Sequence, residues 1–373
     1  MSKTPNGFEV IQAFEEFSPK HLALEGDKIG LQIGSLNKPI KKVMIALDVL
    51  ENVVDEAIAK KVDLIIAHHP PIFRPLKALQ TDTASGRIIE KCILNNIAVY
   101  AAHTNLDVAT GGVNDLLAEA LELKDSKILS PSYEEKLNKL AVYVPKDDAD
   151  KVRNAIGAAG AGFIGNYSHC TFNTSGIGTF LPTEGTTPYI GEVGKLEEVE
   201  EIRIETIFPS SFQRRVISAM LKAHPYEEVA YDIYPLENEG NVLGLGRIGY
   251  LEKEMSLEEF AKHVKVKLEV EGVRVVGNLT DRVKKVAVLG GDGNKYISQA
   301  KRAGADVYVT GDMYYHVAHD AMMMGLNIVD PGHHIEKVMK QGVADVLTKL
   351  FSKKKYEVEV FASELKTDPF IFM

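Results

Sequence analysis

Two adjacent histidines end an apolar run, Leu64-Ile65-Ile66-Ala67-His68-His69-Pro70-Pro71. A second pair, His333-His334, follows Asn327-Ile328-Val329-Asp330-Pro331-Gly332. Four of the eleven histidines therefore sit as doublets just past segments that read as buried strands. Neutral imidazole is the commonest protein metal ligand. Carboxylates stand close by in sequence: Asp107 ends His103-Thr104-Asn105-Leu106-Asp107, and Glu336 lies three residues after His333. Two residues three apart share a helix face, so a helix starting at Gly332-His333 would place Glu336 to bridge two ions. The set His68, His69, Asp107, His333 and Glu336 offers nitrogen and oxygen without thiolate. Such a set suits zinc, manganese, iron or nickel better than copper(I). It also leaves coordination positions open for water, as catalytic sites do. His103 and His316 fall near the same strand ends. Either is a candidate acid–base group, or a residue that orients a ligand. A single His-His pair carries little information. Two pairs at equivalent places, each with acids nearby, point to a metal site.

The elements that must position these residues recur. Lys41–Ala46 reads as a strand, 50–61 as a helix and Val62–Ala67 as a second strand. Lys284–Leu289, a helix near 294–303 and Ala305–Thr310 repeat that order. Lys41 to Asp63 and Lys284 to Asp306 are both 22 positions apart. A third strand follows in each half, Ile97–Tyr100 and Ile328-Val329. Strands alternating with helices imply parallel βαβ units. Ligands collect outside the carboxyl ends of such strands. The expected fold class is therefore α/β, with two pseudo-repeated βαβ-containing halves, 1–129 and 238–373, forming one metal-binding domain.

Between the halves, strands at 140–144, 169–181, 202–207 and 229–234 and helices at 147–159 and 211–223 give the order βαββαβ. That order is ferredoxin-like and marks 130–237 as an inserted domain. Pro131 and the stretch Pro235–Gly246 are expected as its hinges. His224-Pro225-Tyr226 reads as a helix stop, Gly290-Gly291-Asp292-Gly293 as a tight turn, and Met322-Met323-Met324 as core filling on a helix.

The totals bound the rest. A chain of 373 residues with 45% hydrophobic residues has room for two domains and full cores. A net charge of −9 argues against nucleic acid or an anionic membrane as partner. Two cysteines without a Cys-x-x-Cys exclude a zinc ribbon and a disulfide framework. No apolar run reaches the roughly 20 residues of a membrane span, and no apolar segment follows the polar opening. Cytoplasmic localisation is the expectation.

Ile66-Ala67-His68-His69-Pro70-Pro71, His103-Thr104-Asn105-Leu106-Asp107, Thr310-Gly311-Asp312 and Asp330-Pro331-Gly332-His333-His334-Ile335-Glu336 resemble the motifs of the GTP cyclohydrolase 1 type 2 homologues. Their order and spacing match over essentially the whole chain. The inserted segment resembles the PII-like insert of the longer bacterial members. The resemblance implies a dinuclear metal centre, two divalent ions per chain with zinc first and iron, manganese or nickel as alternatives, and a toroidal homohexamer. It carries ligation onto His68, His69, Asp107, His333 and Glu336. His333 is preferred to His334, although other members place the last carboxylate four residues after the ligating histidine. Leu24–Gln32 departs from the family pattern, since the chain has no tryptophan. That departure is expected to touch the edges of the fold and not the ligands. The implied activity is metal-dependent hydrolysis, with two ions about 3.5–4 Å apart sharing a hydroxide that opens the guanine ring of GTP or attacks a phosphoester. The alternative is a non-catalytic metal-holding assembly whose insert senses a small molecule or nucleotide.

Overall fold

The computed structural model describes residues 3–373, which divide into two compact units. One comprises the residues up to Tyr133 together with Leu243–Met373, and the other is Glu134–Val242. In chain order the first segment carries α1 (Gly7–Phe17), β1 (Gly30–Ile33), β2 (Lys42–Ala46), α2 (Glu51–Ala59), β3 (Leu64–Ala67), α3 (Ala84–Leu94), β4 (Ala98–Ala101), α4 (Thr104–Val108), α5 (Val113–Ala120) and β5 (Lys124–Glu134). The second unit holds β6 (Leu137–Pro145), α6 (Ala149–Ala158), β7 (Phe172–Phe180), β8 (Glu197–Pro209), α7 (Gln213–Ala223) and β9 (Tyr231–Pro235). The chain then returns through β10 (Val242–Ser256), α8 (Leu257–Lys267), β11 (Arg274–Val276), β12 (Arg282–Asp292), α9 (Ile297–Arg302), β13 (Val307–Gly311), α10 (Tyr315–Met323), β14 (Asn327–Asp330), α11 (Val338–Lys354) and β15 (Glu359–Ala362).

The first unit contains two mixed sheets, ordered β1-β4-β3-β2-β15 and β11-β14-β13-β12-β10-β5. Strands β2, β3 and β4 run parallel, as do β12, β13 and β14. Each parallel trio is flanked by an antiparallel strand, β1 against β4 and β11 against β14. Val43 pairs with Leu64 and Val286 with Val307, the same offset of 21 in both sheets. The two Asp residues at the 22-residue spacing do the same work. Asp63 Oδ2 accepts the backbone N–H groups of Lys41 and Lys42 at 2.7 and 2.9 Å. Asp306 Oδ2 accepts those of Lys284 and Lys285 at 2.9 and 2.7 Å.

Alternation along the strands assigns their faces. Val43, Ile45, Leu64, Ile66, Val286, Val288, Val307 and Val309 share one core with Leu117 of α5 and Met339, Val343 and Leu347 of α11. Met44, Ala46, Ile65 and Val99 turn the other way, onto α2 and α3. Ala287, Tyr308 and Ile328 pack with Ile297, Ala300 and Ala321 of α9 and α10. Strands covered on both faces are apolar throughout, which is why Leu64–Ala67 shows no polar alternation.

The second unit is a four-stranded antiparallel sheet ordered β7-β8-β6-β9. Its helices α6 and α7 cover one face through Val152, Ile156, Val216 and Met220 against Leu140, Val142 and Ile204.

Several elements differ from the sequence expectation. Pro131 lies inside β5 and Val242–Gly246 opens β10, so both expected hinge stretches are partly strand. β5 is the outer strand of its sheet, where a residue without an N–H costs no ladder bond. The helix expected at 294–303 begins as a 3₁₀ turn, Asn294–Tyr296, before α9. Met322 and Met323 are 53% and 76% exposed, so they do not fill a core. Among the described residues, no helix is long and apolar enough to cross a membrane.

Candidate metal centre

Because β2, β3, β4, β12, β13 and β14 run parallel within their sheets, their carboxyl ends can deliver side chains to one crevice. The ladder continues past β3, with His68 N–H donating to Ala46 O at 3.1 Å and His69 N–H to Leu47 O at 2.9 Å. His103 follows β4 and leads into α4, which carries Asp107. After β14, Gly332 adopts φ +84, a conformation that favours glycine, and Asp330 Oδ1 accepts its N–H at 2.8 Å. That turn starts a 3₁₀ helix, His333–Lys337, in which residues three apart eclipse. Glu336 therefore stacks on His333, with Oε2 3.2 Å from Nε2.

Six side chains converge in three overlapping groups: His68 with His69 and His103, His69 with His333 and Glu336, and His68 with Asp107 and Glu336. Within each group the ligand atoms lie within 4.8 Å of one another. Glu336 Oε2 stands 3.1 Å from His69 Nε2 and 3.6 Å from His68 Nε2, and Asp107 Oδ1 lies 3.6 Å from His68 Nε2. The structure thus brings His68, His69, Asp107, His333 and Glu336 together, and His103 with them. His316 is exposed on α10, stacked edge-on with Tyr315, and belongs to none of these groups. His334 is buried but outside the groups, so the second doublet contributes one histidine.

Every imidazole in the cluster is tethered at Nδ1. His68 donates to Ala102 O at 3.0 Å. His69 pairs with Asp48 Oδ1 at 2.6 Å, His103 with Asp27 Oδ1 at 2.8 Å and His333 with Asp312 Oδ2 at 2.7 Å. Such outer partners fix the tautomer and aim Nε2 inward. Sequence reading missed Asp48 and Asp27 and gave Asp312 no role. A signal existed: Asp48 and Asp312 each closely follow a strand and each precede their histidine by 21 positions. The Leu24–Gln32 segment reaches the site through Asp27, contrary to the expectation that it touches only the fold's edges. Thr104 N–H and its hydroxyl hold the other oxygen of Asp27.

The double glycine expected as a tight turn instead lies near the end of β12, where the missing side chains make space for Glu336. A Cβ on Gly290 would stand 3.1 Å from Glu336 Oε1, and one on Gly291, at φ +64, would stand 2.7 Å from it. Asn114 ties the two sheets at this point. Its side chain donates to Asp107 O at 3.0 Å and accepts Gly290 N–H at 3.1 Å.

Two atoms at the centre, His68 Nε2 and Asp107 Oδ1, are buried with no hydrogen-bond partner. Leaving a polar atom so costs about 1–3 kcal/mol each, which a bound cation would offset. The electrostatics agree with a pocket shaped around positive charge. Burial pushes Asp107 up to about 6, and Glu336 adds to that push while His68 opposes it. Burial would raise Glu336 too, but the charge of His68 and the close nitrogens of His333 and His69 hold it well below the usual range. Burial pulls His69 down, yet Asp48 and Glu336 outweigh it and lift the ring to about 10. His333 is lifted to about 9 against burial by Glu336 and Asp312. These histidines carry the positive charge that the carboxylates require.

A family model described as Duf34/NIF3 (NGG1p interacting factor 3) matches residues 5–369. The chain belongs to the Duf34/NIF3 family. Family members include a "GTP cyclohydrolase 1 type 2 homolog" of Bacillus subtilis, 65% identical over 373 residues and covering all of both chains. One of the same description from Staphylococcus aureus is 36% identical over 365 residues, covering 98% of this chain and 99% of its own. Among solved structures, a Bacillus cereus protein related to NIF3 superposes with a TM-score of 0.95 at 66% identity, covering 100% of both chains. A Staphylococcus aureus family structure gives 0.77 at 32% identity, covering 99% of both. The mixed α/β fold is therefore that of the NIF3 structures.

Proposed function

We propose that this chain is a metal-dependent hydrolase with a dinuclear centre. The observation that carries the reading is the pair of orphaned buried atoms, His68 Nε2 and Asp107 Oδ1, inside a cluster whose imidazoles are all aimed inward by outer partners. Two of the ligand groups share only Glu336. His68, Asp107 and Glu336 would hold one ion, and His69, His333 and Glu336 a second, with Glu336 common to both. Nitrogen and carboxylate donors without thiolate suit zinc first, and iron, manganese or nickel as well. Divalent ions held there supply Lewis acidity and lower the pKa of water. His103, tethered at Nδ1 by Asp27, keeps its Nε2 for carrying a proton at the edge of the cluster.

The shared description of the relatives makes GTP the first substrate to test. Metal-reconstituted protein incubated with GTP is expected to release formate and a pterin precursor above a His68→Ala control. Equal product from both would sink that substrate. Elemental analysis tests the centre itself, with two ions per chain expected and both lost in Glu336→Ala. A chain that holds two ions yet turns over no nucleotide, phosphoester or amide would be a metal-holding regulatory assembly instead.

The same reading takes the two sheets of the first unit as pseudo-repeats and the second unit as a ferredoxin-like, PII-like insert. The equal 21-residue register offsets and the matched roles of Asp63 and Asp306 support the former. The βαββαβ order with spatial order β9-β6-β8-β7 supports the latter.

A further inference from the structure

The second unit has chemistry of its own on the face its helices leave uncovered. Cross-strand pairing puts Tyr143 of β6 opposite Arg203 of β8. Glu201, two residues along β8, shares that face. A cleft of about 620 Å³ opens there, lined by Tyr143, Phe180, Tyr189, Glu201, Arg203 and Tyr226 among others. That volume lies within the range of small-molecule sites, which combine apolar walls with a few convergent polar groups.

The walls are aromatic. Phe180 and Tyr189 both pack on Tyr226, with ring centroids 5.8 and 6.3 Å apart, and the Arg203 guanidinium lies over Tyr143 at 5.9 Å. The polar groups have unspent capacity. Arg203 gives one nitrogen to Glu205 at 2.6 Å, while its Nε is buried without a partner. Glu205 also takes Lys139 at 3.2 Å, so its charge is fully engaged. Glu201 accepts the Tyr226 hydroxyl at 3.0 Å through one oxygen, which leaves most of its acceptor sites open. Two further carboxylates, Glu227 and Glu228, lie at the rim, and Glu227 accepts the Thr187 N–H at 3.0 Å. The cleft therefore offers a donor seeking an acceptor, acceptors seeking donors, and rings for stacking. A simple anion would meet three carboxylates, and a simple cation would meet Arg203. A planar heteroaromatic ring with an oxo group beside an amino group satisfies both sets at once, and aromatic side chains stack on any such base.

We propose that this cleft is a binding site for a planar amino–oxo heterocycle, with Arg203 donating to the oxo edge, Glu201 accepting from the amino edge, and Tyr226, Phe180 and Tyr189 walling the ring. The inference does not rest on the hydrolase reading, because every residue it uses lies in the second unit.

Isothermal titration of the full-length protein with guanosine, inosine and adenosine tests it. Guanosine, which has both edges, should bind once per chain and about tenfold or more tighter than adenosine, which lacks the oxo group. Arg203→Gln should weaken guanosine by a similar factor. Glu201→Gln should bring guanosine down to the level of inosine, which lacks the amino group. Tyr189→Ala, on an exposed side chain, should weaken all three without disturbing the fold. His68→Ala should leave guanosine binding intact. No guanosine binding, equal affinities for guanosine and adenosine, or affinities unmoved by the cleft variants would overturn the proposal. So would binding lost in His68→Ala but kept in Arg203→Gln, which would place the nucleoside at the metal centre.

Discussion

Asp48, Asp27 and Asp312 do as much to make the site as the histidines they hold. Each fixes one imidazole at Nδ1, so removing one loosens a ring of the cluster without deleting it. Asp48→Asn or Asp312→Asn is expected to lower metal affinity about 10–100-fold. A chelator competition titration would read this, and unchanged affinity would show that the tethers are ornamental. Protons compete with metal for the same nitrogens. His69 and His333 are raised to about 10 and 9 in the ion-free cluster, so metal uptake must displace protons. Metal affinity should therefore fall steadily as pH drops from 9 to 6. The sign for the ion-free fold is opposite. Groups raised above an unfolded value of about 6.5 stabilise fully below it, and that contribution fades as pH climbs through 9 and 10. Chelator-treated protein should lose denaturant resistance over that window, and metal-loaded protein should lose less.

At the scale of elements, the site depends on backbone being able to approach Glu336. Gly291→Ala adds a Cβ 2.7 Å from Glu336 Oε1 at a positive φ. It should reduce bound metal while leaving far-UV circular dichroism unchanged. A normal metal content would mean that Glu336 can shift freely. Between the sheets, Leu347 of α11 is fully buried in the shared core. Leu347→Ala should destabilise the first unit by about 2–5 kcal/mol in denaturant unfolding. Much of this level was legible in the chain. The runs Lys41–Ala46, Val62–Ala67 and Ala305–Thr310 announced buried strands, and the Lys-Asp spacing of 22 announced a recurring order of elements, though not the Asp63 and Asp306 backbone bonds behind it. The hinges were not legible, because proline and glycine mark both loops and outer strands. Met322 and Met323 misled for a related reason, since composition cannot say which side of a helix faces the core.

For the whole molecule, several large apolar side chains stand exposed on the described chain. They include Tyr315, Met323 and Ile371, at 74%, 76% and 83% exposure. The expected toroidal hexamer would cover such residues. Sedimentation should then give six times 41.0 kDa, about 246 kDa. A species of one chain would refute that assembly.

The sequence by itself determined the candidate site residues, their placing at strand ends, the α/β class and the family, because these depend on local pattern and spacing. Only the tertiary structure decided which doublet histidine faces inward and that His316 stands apart. It alone revealed that Asp27, from a segment that departs from the family pattern, orients His103. Those outcomes turn on a single glycine dihedral at 332 and on contacts between residues far apart in the chain. Such features arise from how strands pack and are absent from any one stretch of sequence.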